Sequence, residues 1–189
     1  MRKKVAVMMV MMILALPAML CAETLPPQAG AALPDMKLQK PADSHGLNYL
    51  GLSGSGTFSA DQVRAQALII QVFSLYCPYC QKDAPNMNRF FSLIEVNPRL
   101  KGKIKILGIG AGNTQFEVNT FKKKYKVEFP LVPDADFTIH KIIGEVRTPY
   151  FIVVKLNSPQ KREVVYSRLG VHEDVEAFLA EVVRLTGIQ

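Results

Sequence analysis

An apolar segment that ends in two closely spaced cysteines constrains the fold of this 189-residue chain more than any other feature. Residues 67–74 form a near-continuous apolar run of strand length, as expected for a strand buried on both faces. Cys77 and Cys80 follow at once, and a helix is predicted after them. Its apolar positions form one stripe with helical spacing: Met87, Phe90, Phe91 and Ile94. The cysteine pair is therefore predicted at a junction between a buried strand and a helix.

This position favours the thiolate form of Cys77. The first turn of a helix offers unpaired backbone N–H groups and the positive end of the helix dipole. Pro78 suits the first helical position because it has no N–H to leave unpaired. The pattern predicts thiol–disulfide exchange in which Cys77 is the nucleophile and Cys80 resolves the mixed disulfide.

Two structural uses of the pair are less consistent with the sequence. A zinc site needs about four ligands, but no second CxxC is present and the three histidines His45, His140 and His172 are isolated. A structural disulfide between cysteines three positions apart at a helix start is tight and readily reduced. We therefore expect no metal and no cofactor at the pair.

The rest of the chain alternates between predicted strands and helices. Further strands are expected at 104–110, 129–132, 150–154 and 163–166, the last two as a hairpin across 157–159. Helices are expected from the Thr114 capping box to about Lys124, over 136–143, and around Val175, Phe178, Leu179 and Val182. Upstream, 36–38 and 49–52 are expected to form edge strands at most, and 59–63 a short helix. This order indicates one α/β sheet covered on both faces.

The first 22 residues have the basic start, apolar run and small final residues of a secretory signal peptide. The predicted division is a signal peptide at 1–22, an extended linker at 23–34 and one domain at 35–189. Two alternatives stay open. The uncharged run of 18 residues is close to the ~20 that span a membrane, so the leader is also compatible with an uncleaved anchor. Cys21 is a second alternative, as a lipid-attachment site, although Leu20 is larger than the residue such signals favour.

Cysteine count and charge are compatible with export. Cleavage would remove Cys21 and leave a single redox pair in an oxidising compartment. Without the leader the chain has 20 basic and 16 acidic residues, a net charge of +4. We therefore expect no nucleic-acid partner. The lysine run 122–124 is expected to be a solvated helix face.

Residues 68–85 resemble the thioredoxin superfamily, with an apolar strand, the aromatic Tyr76 before the first cysteine, CxxC, and Pro85 five residues beyond the second. A second landmark of that superfamily is a cis-proline that faces the cysteines, which Pro149 matches, with Thr148 before it. The resemblance implies a thioredoxin-like fold. The catalytic positions it implies are Cys77, Cys80, Thr148 and Pro149.

Pro149 lies 69 positions after Cys80, farther than in a bare thioredoxin, and residues 104–134 supply an extra strand–helix unit. Residues 125–134 resemble the TlpA/ResA-type exported thioredoxin-like proteins. That resemblance implies a periplasmic or otherwise exported oxidoreductase. Its expected partners are protein thiols and disulfides, with a membrane electron donor as a further possibility. Contact with the membrane itself is expected only if the leader is retained.

Gln71 departs from the thioredoxin pattern. Six residues before the first cysteine, thioredoxins carry a buried Asp that handles the proton of the second cysteine, and a neutral amide cannot act as a base. Asp83, one turn into the helix, is a candidate substitute. Its position nevertheless favours a solvated helix residue.

Parts of the sequence are also compatible with two other functions, a thiol peroxidase and a copper-handling module. Ser74 lies three residues before Cys77, as in thiol peroxidases, and Arg147 is available to stabilise a thiolate. The proline those enzymes carry four residues earlier is replaced by Ile70. A Cu(I)-handling module would use the thiolate pair. Related copper chaperones have three residues between their cysteines and a histidine ligand, whereas His140 is expected on a helix surface.

Overall fold

The computed structural model of the protein describes residues 25–157 and 162–189. The predicted signal peptide and the tip of the predicted hairpin lie outside these residues. The strands are β1 (Leu38–Gln39), β2 (Thr57–Phe58), β3 (Ala67–Phe73), β4 (Ile104–Ala111), β5 (Leu131–Asp134), β6 (Tyr150–Lys155) and β7 (Glu163–Leu169). The helices are α1 (Ser44–Leu50), α2 (Pro78–Val96), α3 (Gln115–Tyr125), α4 (Thr138–Ile142) and α5 (Val175–Thr186).

Five strands form the central sheet in the order β5-β4-β3-β6-β7. Strands β3, β4 and β5 are parallel, whereas β6 runs antiparallel to β3, and β7 antiparallel to β6. All seven residues of β3 are buried. The predicted two-sided sheet, with a buried strand leading into the cysteines, is confirmed.

The two faces of β3 explain why its sequence is apolar without interruption. Ile69 and Phe73 pack with α2, α3 and α5. Leu68, Ile70 and Val72 pack on the opposite face with residues 33–63 and α4. Since successive side chains of a strand point to opposite faces, a strand covered on both sides has no solvent-facing positions to fill with polar residues.

The helix after the cysteines begins with Cys77 as its N-cap and ends at Asn97. Its predicted apolar stripe of Met87, Phe90, Phe91 and Ile94 is buried, as expected. Phe90 stacks on Phe178 of α5 with ring centroids 4.9 Å apart. The contact fixes α2 and α5 side by side on one face of the sheet.

The insertion predicted between the cysteine helix and Pro149 is formed by β4, α3 and β5. Thr114 and Glu117 make the predicted capping box at the start of α3. Strand β5, which was predicted to begin at Phe129, begins at Leu131, although Phe129 and Pro130 are also buried. The two parallel crossovers place α2 and α3 on the same face of the sheet.

The edge strand expected at 49–52 is wrong. Tyr49 and Leu50 end α1, where Asp43 caps the first turn by accepting a hydrogen bond from the Gly46 N–H at 2.6 Å. Gly51, with φ of 72°, terminates the helix in the left-handed conformation. Capping at both ends outweighs the strand-like local composition.

In the described part of the segment predicted as a linker, residues 29–30 form a turn and the residues after it lie along β7. The Gly30 N–H donates to the Val164 carbonyl, and the Leu33 N–H donates to the Arg162 carbonyl, both at 2.8 Å. Leu33 is 1% exposed. These residues cover part of the sheet edge.

Candidate active site

The cysteines, the loop after β4 and the start of β6 meet at one edge of the sheet. This edge holds the carboxyl ends of the parallel strands β3 and β4 and the first residues of the antiparallel strand β6. Loops at the carboxyl ends of parallel strands are the usual place for a binding site in an α/β fold. All four sequence-predicted positions, Cys77, Cys80, Thr148 and Pro149, lie here.

Cys77 is half-buried and occupies the N-cap of α2. Its Sγ accepts a hydrogen bond from the Cys80 N–H at 3.2 Å and lies 3.3 Å from the Thr148 carbonyl oxygen, to which the thiol donates. The Thr148–Pro149 peptide bond is cis, as predicted. Backbone groups of α2 and of the cis-proline loop therefore meet at the Cys77 sulfur.

Cys80 is completely buried. Burial raises the pKa of its thiol strongly, and the neighbouring Cys77 adds to the effect. The nearby Ser74 backbone and Thr148 side chain lower this pKa, but their effects are smaller than that of burial. Cys80 is thus a protonated thiol that external molecules do not reach.

Asp83 is also fully buried, which corrects the expectation of a solvated helix residue. It follows Cys80 by three positions on α2, so the two side chains share one helix face with Cβ atoms about 5–6 Å apart. Burial raises the pKa of the Asp83 carboxyl to about 6. The Asn86 side chain donates to Oδ1 at 3.2 Å, and Oδ2 has no hydrogen-bond partner within the described chain. This carboxyl is poised to exchange a proton near neutral pH.

His172 closes the buried side of the site. Its backbone lies near the Asp83 carboxyl and lowers the pKa of that group, and its ring stacks on Phe178 with centroids 3.6 Å apart. Burial lowers the pKa of His172 to about 4, with a contribution from the Arg168 charge. The ring is therefore neutral at pH 7. No sequence pattern predicted that His172 would lie beside Asp83, because the two residues are brought together only in the folded chain.

Asn113, in the loop after β4, was missed by the sequence analysis. Its side chain is fully buried, and Oδ1 accepts a hydrogen bond from the Leu75 N–H at 2.7 Å. Nδ2 donates to the Ser74 hydroxyl at 3.3 Å. From the other side, Gln81 donates to the Leu75 carbonyl at 2.7 Å. These bonds fix the backbone that leads into Cys77.

A groove of about 400 Å³ runs beside the cysteines. Its lining residues are Tyr79, Arg147, Thr148, Pro149, Leu169, Gly170 and Val171. Tyr79 and Leu169 are 68% and 46% exposed, so the groove presents apolar surface to solvent. Such a groove is suited to an extended polypeptide segment that pairs with the cis-proline loop.

The residues of the alternative functions are held by other contacts. The Ser74 hydroxyl accepts hydrogen bonds from Asn113 and from the Tyr76 N–H. His140 lies on α4, with Nε2 2.8 Å from the Val146 carbonyl oxygen. In the described parts of the chain, no cluster of three or more His, Cys, Asp or Glu side chains is arranged to hold a metal ion.

The sheet order, the cysteine pair at the start of α2 and the facing cis-proline together define a thioredoxin-like fold. A solved structure of a putative thiol:disulfide interchange protein DsbE from Chlorobium tepidum has this fold. It has a TM-score of 0.64 and 14% identity, covering 85% of this chain and 99% of that one. StoA from Bacillus subtilis has a TM-score of 0.57 and 19% identity, with coverages of 81% and 98%.

The AhpC/TSA family model matches residues 29–165, and the chain belongs to this family. The thiol-disulfide oxidoreductase ResA of Geobacillus thermodenitrificans is 19% identical over 119 residues, which is 63% of this chain. The match spans 64% of that relative's own length. Within residues 25–157 and 162–189, no helix has the length and apolar character needed to cross a membrane.

Proposed function

We propose that the protein is an exported thiol–disulfide oxidoreductase that exchanges disulfides with protein partners through Cys77 and Cys80. The observation that carries the proposal is the contrast between the two sulfurs. Cys77 is partly exposed and its Sγ accepts a hydrogen bond from the Cys80 N–H at 3.2 Å, whereas Cys80 is fully buried. The resemblance to ResA is consistent with this chemistry.

In the proposed reaction, the Cys77 thiolate attacks one sulfur of a partner disulfide. A mixed disulfide forms and the partner's other sulfur leaves as a thiolate. Cys80 then attacks the Cys77 sulfur, so that a Cys77–Cys80 disulfide forms and the second partner sulfur leaves. Two electrons pass from the cysteine pair to the partner. The same steps in reverse oxidise a partner dithiol.

The second step requires a proton acceptor, because Cys80 is held as a thiol. Asp83 is the candidate, since it lies one turn from Cys80, is buried with it and has a pKa of about 6. Above pH 6 its carboxylate is available as a base. It thereby substitutes for the acid that thioredoxins carry at the position of Gln71.

Export is proposed from the leader. The first 22 residues have the pattern of a signal peptide, and cleavage there would leave only the reactive pair of cysteines. The proposed partners are exported proteins with accessible disulfides or thiols, and a membrane electron donor is the proposed means of regenerating the reduced pair where it acts as a reductant.

The proposal is tested by trapping mixed disulfides in cells. The Cys80→Ser variant should attack partners but fail to release them, so reducible adducts should accumulate on a non-reducing gel. The Cys77→Ser variant should trap almost none, because the remaining thiol is buried and protonated. Burial shifts pKa values by up to 3–5 units, so the expected difference in reactivity is about a thousandfold.

Equal trapping by the two variants would disprove the assignment of Cys77 as nucleophile. Absence of adducts from both, together with stoichiometric Cu(I) binding by the reduced protein, would favour the copper hypothesis. Rapid consumption of hydrogen peroxide that survives Cys80→Ser would favour the peroxidase. The redox potential in glutathione buffers then decides whether the pair acts as a reductant or an oxidant.

A further inference from the structure

The exposed face of α3 is joined to the cysteine loop. Tyr76, directly before Cys77, donates a hydrogen bond from its hydroxyl to the Glu117 carboxylate in the first turn of α3. Phe116, next to Glu117, is 79% exposed, and Tyr76 is 68% exposed. An exposed aromatic ring therefore lies on each side of the Tyr76–Glu117 contact, one in the cysteine loop and one in the first turn of α3.

Exposed aromatic and apolar side chains concentrate at this end of the molecule. Seven large hydrophobic side chains are exposed in the described residues, and four of them border the site or lie in the first turn of α3: Tyr76, Tyr79, Phe116 and Leu169. A monomeric surface has little reason to gather such residues in one place, and a contiguous exposed apolar patch is a mark of an interaction site.

Cationic side chains follow Phe116 along α3. One shallow groove on this helix is lined by Phe116, Asn119, Thr120, Lys123 and Lys124, a set of residues named here the α3 face. Lys123 and Lys124 are exposed, and no described carboxylate lies within salt-bridge distance of either, whereas Lys122 pairs with Asp43. Eight helical positions separate Phe116 from Lys124, a rise of about 12 Å.

Arg147 adds positive charge on the other side of the site. It is exposed, lines the groove beside Thr148 and makes no salt bridge with another described residue. Positive charge therefore lies beside Thr148, at Arg147, and farther from Cys77 along α3, at Lys123 and Lys124, with the acidic Glu117 at the start of that helix. The complement of this surface is one with apolar residues around a disulfide and carboxylates at the periphery.

We propose that the α3 face is a docking surface for an acidic protein that exchanges its disulfide with Cys77. This inference rests on the proposed function and names the class of partner. Phe116 and Tyr76 supply apolar contact, and the lysines attract the carboxylates and accelerate encounter. A small interface of this kind, burying less than about 1,200 Å² in total, suits an enzyme that must release its partner.

A protein fits this surface better than an anionic membrane does. Cys77 is half-buried, so a partner sulfur must enter the site beside Tyr79 and Thr148 while the α3 face is covered. A polypeptide can present a disulfide and carboxylates together, whereas a lipid bilayer presents only the negative charge. Membrane binding is therefore an alternative outcome of the test.

The test measures single-turnover reduction of two disulfide-linked peptides by the reduced protein. The peptides have equal length and carry either Glu or Lys about eight residues to each side of the half-cystine, which reaches roughly 26 Å when extended. Bis(2-hydroxyethyl) disulfide serves as a small neutral substrate. The Lys123→Glu/Lys124→Glu variant is compared with Arg99→Glu/Arg184→Glu, whose exposed side chains lie near the far ends of α2 and α5.

The wild type should react about tenfold faster with the Glu peptide than with the Lys peptide at low salt. The Lys123→Glu/Lys124→Glu variant should lose that preference, and Phe116→Ser should slow the Glu peptide a few-fold. The Arg99→Glu/Arg184→Glu variant should behave as wild type. The preference should also fade as salt rises from about 0.01 M to 1 M, because the Debye length falls from roughly 30 Å to 3 Å. The small disulfide should react equally with every variant.

Three results would overturn the docking surface while leaving the oxidoreductase intact. They are an unchanged Glu-peptide rate in the lysine variant, an equal loss in the Arg99→Glu/Arg184→Glu control, and lysine-dependent binding to vesicles of phosphatidylglycerol and phosphatidylcholine without any peptide preference. By contrast, failure of the wild type to reduce even the small disulfide would reject the proposed function itself.

Discussion

Cys77 and Cys80 lie in contrasting environments, one partly exposed to solvent and the other in the core. Around Cys77 lie backbone groups, exposed aromatic rings and the exposed Arg147 side chain. Cys80 lies in the core, one helical turn from the buried Asp83 carboxyl. The Cys77 side is partly exposed to solvent, whereas the Cys80 side is buried. The two cysteines are only three positions apart, but they differ in exposure because one helical turn separates the protein surface from the core.

The largest expected effect comes from a change on the buried side, at Asp83, and it concerns the rate at which a mixed disulfide is released. Asp83→Asn removes the proposed base, so release of a mixed disulfide on Cys77 by Cys80 should slow about 100-fold at pH 7. In the wild type the release rate should fall as pH drops through about 6, where Asp83 becomes protonated. The variant should lack this inflection. Release is measured by mass spectrometry of a preformed peptide adduct between pH 5 and 8.

Asn86→Ala is the matched control, because it keeps the carboxyl and removes only the hydrogen bond to Oδ1. That bond lowers the pKa of Asp83, so its loss should move the inflection above pH 6. If both variants retain an inflection at the same pH, Asp83 is not the group that titrates.

The same carboxyl should limit stability. The pKa of Asp83 is raised from 3.8 to about 6, so its ionisation weakens the fold as pH rises from below 4 through 6. At pH 7 this shift corresponds to about 3 kcal/mol of destabilisation. Asn would remove this cost, but burial of its own amide would offset part of the gain. Asp83→Asn should therefore be about 1–2 kcal/mol more stable at pH 7, measured by urea unfolding. A loss of stability would show that the carboxylate is better satisfied than its contacts indicate.

A smaller effect on the release rate is expected when the carboxyl is placed at position 71 instead of position 83. Side chains alternate along β3, so Gln71 faces the same side of the sheet as Ile69 and Phe73, towards α2. In the Asp83→Asn background, Gln71→Glu should restore about tenfold of the release rate, since it supplies a carboxyl on this side. In the wild type it should raise the rate by less. No recovery in the double variant would remove position 71 from the proton path.

The smallest expected effect concerns the loop between the two sides. Asn113→Ala would leave the Leu75 N–H without its partner, at a cost of about 1–3 kcal/mol in unfolding free energy. The attack rate of Cys77 should fall a few-fold because the loop before it loses its fixed position. Asn113→Asp retains the acceptor for Leu75 and should recover most of the attack rate. If Asp fails to rescue while Ser74→Ala is also impaired, the bond to the Ser74 hydroxyl is the important one.

Much of the fold was predictable because its signals are local. The uninterrupted run of β3, the apolar stripe of α2 and the Thr114 capping box each lie within one segment, and each element formed where expected. The strand predicted at 49–52 was wrong for an equally local reason, because Asp43 and Gly51 cap a helix that apolar composition alone does not reveal.

The sequence by itself determined the chemistry and the order of the elements, because a cysteine pair, its proline and a buried strand are read within 14 consecutive residues, 67–80. It also pointed to Thr148 and Pro149 through the family resemblance. Only the tertiary structure decided which buried polar residues lie beside the pair and the loop that precedes it. Asp83 became a buried acid when α5 and the loop carrying His172 covered α2, and Asn113 reached Leu75 from 38 positions away. Burial and proton affinity depend on neighbours that are distant in sequence, so they are fixed only when the chain is folded.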